Sequence, residues 1–223
     1  MSTTSNATAD RLPRGPHSLS RKQVENHQRE RILAAMVASA GTKSYASTTI
    51  ADITRHARVS RDTFYEQFAN KEACFLAAYD GLARELLDVM VTVGTSQPNY
   101  VEGLREGVHA YLEFLSARPE VARVVTVEVQ AAGGRALEHH ERTLRSCARL
   151  FQAVAEQARV EQPELPSVPD IVSRAIPVAF VELITGYVRE DRVNSLHELE
   201  NDILYLLLMG LAGHDVAAAA LAR

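Results

Sequence analysis

Cysteine is nearly absent from the chain: Cys74 and Cys147 are the only two in 223 residues, far apart and without a CxxC pair. That excludes a disulfide framework and a cysteine zinc site, and it makes a reducing compartment the expectation. Long apolar runs are missing too. None approaches the roughly 18 uninterrupted residues of a membrane span, so no membrane is expected as a partner. Residues 1–20 hold no apolar stretch, so no signal peptide is expected and a cytoplasmic location follows. Motifs that carry chemistry are equally scarce, with no nucleophile elbow, no P-loop and no GxGxxG. A Glu-His-His-Glu run stands at 138–141, but neighbours on a helix point about 100° apart, and neither HxxxH nor HExxH spacing occurs there. A solvated polar face is the simpler account, so no metal, cofactor or catalytic residue is assigned. An overall basic charge is also lacking: 24 Lys and Arg against 28 Asp and Glu leave −4, which alone argues against nucleic acid.

The distribution of charge reverses that argument. Residues 1–71 carry a balance of +5 and the remaining 152 a balance of −9. A basic front on an acidic body is the asymmetry expected when one end of a protein touches phosphate. The 46% hydrophobic content is ample for a sizeable core.

The chain is organised around residues 48–71, TTIADITRHARVSRDTFYEQFANK. Ile50, Ile53 and Ala57 recur on one face of a short helix. After a turn at Arg58, Ser60 stands where an N-cap belongs, with Asp62 in the first turn, where a carboxylate suits the positive helix end. Phe64 and Phe68, four apart, share the inward face of a second short helix. Arg61, Thr63, Tyr65 and Gln67 are left facing out. Asn70 caps again, and Lys71 and Glu72 open a third helix. Two short helices joined by a tight turn, the second presenting hydrogen-bonding side chains, is the plan of a DNA-reading helix-turn-helix.

This string resembles the TetR (tetracycline repressor) family of bacterial transcriptional regulators. The resemblance rests on Thr48-Thr49-Ile50, Ala51-Asp52-Ile53, Val59-Ser60, Thr63-Phe64-Tyr65, Phe68 and Lys71-Glu72, at the family's spacing and near the N-terminus; it covers about a quarter of the chain. One departure is Arg58, where the family usually has glycine. A side chain in the left-handed conformation costs roughly 1 kcal/mol. Two readings stand: surrounding packing absorbs that cost, which is favoured, or Arg58 adds a phosphate contact.

Along the rest of the chain, residues 1–19 read as a disordered basic arm. Its Arg11 and Arg14, with Arg21 and Lys22, either reach the DNA or belong to a solvated tail, the second being favoured. A first helix is expected over residues 20–40, with Ile32, Leu33, Met36, Val37 and Ala40 as its buried stripe and Gly41 as its end. Further helices are expected over 70–93, 100–118, 120–132 (valine-rich, with a period that also suits a strand), 135–160, 170–189 and 196–213. A proline-marked linker covers 163–169, and the Ala-rich tail from Val216 is read as frayed. The fold class is all-α, with about nine helices. A helix-turn-helix DNA-binding domain (20–71) precedes a larger helical effector-binding and dimerisation domain (72–223).

The resemblance implies phosphate contacts from Thr49, Tyr65 and Lys71, while Arg61, Thr63 and Gln67 are placed to read bases. It also implies an effector pocket in the body, for which Tyr111, Phe114, Glu128, Phe151 and Phe180 are the candidates. Glu128 interrupts a run of valines; either it is buried, and then needs a partner or a raised pKa, or it faces water. The last two long helices are too apolar for a lone pair, so a homodimer is expected through Ile171, Val178, Ile184, Leu199, Ile203, Leu206 and Leu207. The reading is a repressor that binds a near-palindromic operator on double-stranded DNA and is released by a small lipophilic effector. The alternative is an all-α enzyme holding a metal or cofactor.

Overall fold

The chain's structure, a computed structural model, describes residues 21–222. The arm expected over residues 1–19 lies outside them. Every regular element among the described residues is helical, as the all-α expectation required. Helix α1 is Arg21–Lys43, α2 is Ile50–Ala57, α3 is Arg61–Gln67, α4 is Lys71–Thr95 and α5 is Tyr100–Ser116. Pro119–Arg123, Val124–Glu128 and Val129–Ala131 run on without a break as α6, the middle piece wound as a π-helix. Helix α7 is Gly134–Glu161 and α8 is Asp170–Arg189. A 3-10 turn at Val193–Leu199 leads into α9, Glu200–Ala212, and α10 is His214–Leu221.

The expected stripe of α1 is buried, with Ile32, Met36 and Ala40 fully enclosed. The helix does not stop at Gly41, however; it runs on to Lys43, and Ser44 takes the positive φ of 82° that ends it. Gly41 has a different duty. A Cβ there would lie 2.5 Å from the backbone oxygen of Glu120, so glycine is what lets α1 press against the start of α6. The α4–α5 pair shows the same device: a Cβ on Gly103 would stand 2.8 Å from the carbonyl oxygen of Gly94.

The valine-rich segment is helical, not extended. Val121, Val124, Val125 and Val129 are all buried, so packing overrides the β-preference of branched side chains. The tail from Val216 is ordered as part of α10. Ala217 and Ala220 are buried, and the Arg105 guanidinium donates to the Ala220 carbonyl at 2.6 Å, satisfying one free carbonyl of the helix end. That tenth helix is the difference from the expected nine. One continuous core runs from Ile32 to Ala220, and the expected domain boundary at residue 71 falls on the first residue of α4.

Candidate nucleic-acid interface and interior cavity

The front of the molecule is built by caps. Thr49 is the N-cap of α2 in a reciprocal capping box: its side chain accepts from the Asp52 N–H, and its own N–H donates to Asp52 at 3.0 Å. The hydroxyl of Thr49 also donates to Asp52 Oδ2 at 2.6 Å. Hydrogen bonds from Lys43 and then Thr49 hold the Asp52 carboxyl well below the usual carboxylate range. Helix α2 ends at Arg58 in the left-handed conformation (φ 52°, ψ 46°), the geometry that favours glycine. The Arg31 guanidinium donates to the carbonyls of Ala57 and Arg58, and the Val59 N–H closes onto Thr54 O at 3.1 Å. Those bonds hold the backbone of the turn around Arg58.

Ser60 then caps α3 by accepting from the Thr63 N–H at 2.9 Å. Phe64 is fully buried and Phe68 nearly so, their rings 5.8 Å apart, although Phe68 is the extended residue that closes α3, not its last turn. With those rings inward, Arg61 and Tyr65 face solvent one turn apart. Tyr65 is 45% exposed, and Arg61 Nη2 donates to its hydroxyl at 3.4 Å. Thr63 shares a 2.9 Å hydrogen bond with the Ser60 hydroxyl, and Gln67 is half-buried.

Lys71 is placed less freely than its expected phosphate role requires. Its ammonium donates to the carbonyls of Tyr45 (2.9 Å) and Thr48 (3.0 Å) and sits 4.2 Å from the centre of the Tyr45 ring. Tyr45, which sequence reading passed over, is thus a hub. Its ring packs on Phe75 at 4.7 Å, its carbonyl takes Lys71, and its N–H donates to Glu128 Oε2 at 2.7 Å. That last bond spans 83 residues, and no local pattern announces it.

Glu128 is therefore corrected as a pocket candidate. It is 2% exposed, in the π-helical part of α6, and is satisfied by the Tyr45 N–H and by Arg123 Nε at 3.1 Å. Phe114 is also off the pocket, half-buried with the Arg118 guanidinium stacked 3.8 Å from its ring centre. Tyr111, Phe151 and Phe180 do line a cavity of about 490 Å³, enclosed mainly by α4, α5, α7 and α8. Leu87, Met90, Leu104, Leu150 and Val154 complete most of its apolar wall, and Cys147 stands on it, its thiol pushed up to about 11 by burial. Gln97, Asn99, Gln157 and Glu161 gather where α4 meets α5 and α7 ends, making that end polar. Sequence reading found the aromatic wall by helical spacing; the polar end depends on which turns meet in space.

The dimer candidates divide. Ile171 (69% exposed) and Val178 (51%) are open to solvent. Ile184, Leu199, Ile203 and Leu207 are instead buried in the chain's own core, and Leu206 is half-buried, so the first four cannot face a second copy. Apolar character found the two helices; only their packing shows which face is already covered. Leu183 and Met209 are the exposed apolar residues that sequence reading did not separate. By length and composition α8 is apolar enough to cross a membrane, though 39% of that window is buried in the fold. The Glu-His-His-Glu run is not a plain solvated face either. His139 pairs with Asp80 at 2.7 Å, and His140 takes the Tyr79 hydroxyl at 3.0 Å, tying α7 to α4.

Comparison with known proteins agrees with this architecture. The pattern of the bacterial regulatory proteins of the tetR family matches residues 32–78, which run from the buried stripe of α1 into α4. The HTH-type transcriptional regulator EthR of Mycolicibacterium smegmatis is 27% identical over 127 residues, 56% of this chain and 58% of that protein, so the match spans little more than half of the relative's length. Among solved structures, the fatty acid degradation regulator FadR from Bacillus halodurans superposes with a TM-score of 0.72 at 20% identity, over 83% of this chain and 97% of that one. FadR from Bacillus subtilis, solved in complex with stearoyl-CoA, gives 0.72 at 18% identity, over 81% and 98%. With its capped helix-turn-helix in front of a larger helical body, the chain carries over residues 32–78 the pattern of the tetR family of bacterial regulatory proteins and is similar to them in fold.

Proposed function

We propose that the chain is a ligand-responsive, homodimeric transcriptional repressor. In this reading α3 enters the major groove of an operator, Arg61, Thr63 and Gln67 read base edges, and Thr49, Tyr65 and Lys71 hold the phosphate backbone. The hydrogen bonds of Lys71 direct it first to the Tyr45–Thr48 loop, so it contributes to phosphate binding largely by fixing that loop. A second copy packs against the exposed apolar faces of α8 and α9 (Ile171, Val178 and Met209), and the two α3 helices then meet half-sites about 35 Å apart on a near-palindrome. Residues 20–71 act as the DNA-binding part and 72–223 as the sensing and pairing part.

The observation that carries the reading is the path of α4. Capped by Asn70, it starts at Lys71 close behind α3, and its far half supplies Leu87, Met90, Val91, Gly94 and Thr95 to the cavity wall. A ligand that pushes on that wall moves a rigid rod rooted beside α3. A small lipophilic effector suits the apolar wall, and stearoyl-CoA bound to the B. subtilis FadR supports a cavity-bound effector as the mode of control. The alternative, an enzyme holding a metal or cofactor, needs free ligands, and the Glu-His-His-Glu run is the sequence's one cluster that invites a metal. Both imidazoles are engaged by Asp80 and Tyr79, so no observation favours it.

The test is binding to a selected operator with and without effector. Protection of a near-palindrome, its loss in Tyr65→Ala and its release by a compound that raises Tm would support the proposal. A folded protein that binds all duplexes alike would overturn it.

A further inference from the structure

The cavity has a charge character of its own. Among the described residues, its lining contains no Lys, Arg or His. The one side chain on it that is ionised at neutral pH is Glu161, at the polar end, where Oε2 accepts from the Tyr100 N–H at 3.4 Å. Beside it the Gln157 amide has no hydrogen-bond partner among the described residues. The surrounding body deepens the effect: residues 72–223 carry a balance of −9, so the field around the cavity repels anions.

Deeper in, Tyr111 packs on Phe180 with ring centres 5.1 Å apart. Its hydroxyl makes no hydrogen bond to any described residue, although it lines the cavity. Burial raises its pKa, so it stays a neutral donor. A donor that faces the cavity with no acceptor among the described residues is available to a ligand oxygen.

We infer that the cavity selects an uncharged or cationic lipophile bearing a hydrogen-bond acceptor part-way along its length, and discriminates against anionic lipids, whether free carboxylates or acyl-CoA thioesters. This rests on the cavity being the effector site. A carboxylate or phosphate head leaving the apolar wall meets Glu161 and no counter-ion; an amine or hydroxyl head meets Glu161 and the free Gln157 amide. The acceptor, a carbonyl or ether oxygen, docks on the Tyr111 hydroxyl.

The test uses the full-length protein and probes that share a chain: a long-chain methyl ketone (2-dodecanone), dodecylamine, dodecanoate and dodecanoyl-CoA. Hexylbenzene, which lacks an acceptor and a charge, reports whether the cavity takes ligand at all. Affinity is read by calorimetry and by the rise in Tm. The ketone and the amine are expected to bind at least tenfold tighter than dodecanoate or dodecanoyl-CoA. Tyr111→Phe, which removes a hydroxyl with no hydrogen-bond partner among the described residues, should weaken the ketone about five- to tenfold and leave hexylbenzene unchanged. Gln157→Arg, at an exposed position, should bring dodecanoate up to the affinity of the ketone. Equal or tighter binding of either anion to the unmodified protein would overturn the inference while leaving the cavity an effector site. Failure of every probe, hexylbenzene included, would overturn the cavity reading and the inference with it.

Discussion

Tyr65 is the exposed aromatic on α3, and its phenol already meets Arg61 across one helical turn. Truncation at either position removes little packing. Tyr65→Ala and Arg61→Ala should therefore leave stability within about 0.5 kcal/mol. Arg61→Ala should cost about 1–3 kcal/mol of operator binding, and loss of a phosphate contact at Tyr65 should weaken all sequences alike. Fluorescence anisotropy on cognate and scrambled duplexes checks both. Glu128 is the opposite kind of residue, enclosed and bonded twice. Glu128→Ala leaves the Tyr45 N–H and the Arg123 guanidinium without their acceptor, and should cost about 2–3 kcal/mol in denaturant unfolding. Ser60, Phe64 and Asn70 were legible in the sequence because caps and ring spacing are local rules. Tyr45 and Glu128 were not, since their meaning lies in a bond between segments 83 residues apart. A lone Glu among valines marked Glu128 as either buried or facing water, and named no partner.

At the scale of elements, glycine and histidine set how helices meet. Gly41→Ala places a methyl on the backbone of Glu120, so α1 and α6 must separate; a loss of about 1–3 kcal/mol is expected by thermal or denaturant unfolding. Gly41 was read as a helix end because that is glycine's commonest duty near a C-terminus, and only the neighbouring helix reveals the other one. The α4–α7 contact should respond to pH. Burial lowers the pKa of His140, so as pH falls the unfolded chain takes up its proton first. The contribution of His140 is complete above about pH 6.5 and is lost as pH falls through the folded value. His109, bonded to Glu200, has a raised pKa and the opposite sign: its contribution is complete below about pH 6.5 and is lost as pH rises through its folded value. Its side chain is 55% exposed, so water screens most of that effect. Tm should thus fall on mild acidification, and His140→Gln should flatten the fall. An unchanged slope in that variant would show that the acid sensitivity comes from elsewhere.

At the scale of the whole molecule, a basic front, a rod and a cavity in an acidic body are joined in one chain. The sequence carried this plan through charge asymmetry, cap spacing and apolar stripes, and it resembled the right family in residues 48–72. It did not carry the faces of α8 and α9, because hydrophobicity alone cannot tell a side chain turned to its own core from one left for a partner. Ile203 and Ile171 are equally apolar, yet one is enclosed and the other is 69% exposed. Substitution on the exposed face is the discriminating test of pairing. Val178→Glu should give a folded monomer in sedimentation and should weaken binding to a two-half-site duplex far more than to a single half-site; Leu199→Glu should instead unfold the chain. The most direct measurement for the central claim is selection of duplex fragments by the intact protein from genomic DNA, followed by footprinting of the enriched sequence at two salt concentrations. A protected near-palindrome with two half-sites about one helical turn apart is expected, bound less tightly as salt rises and not bound by Tyr65→Ala. Enrichment of no sequence, or a footprint that survives Tyr65→Ala unchanged, would contradict it.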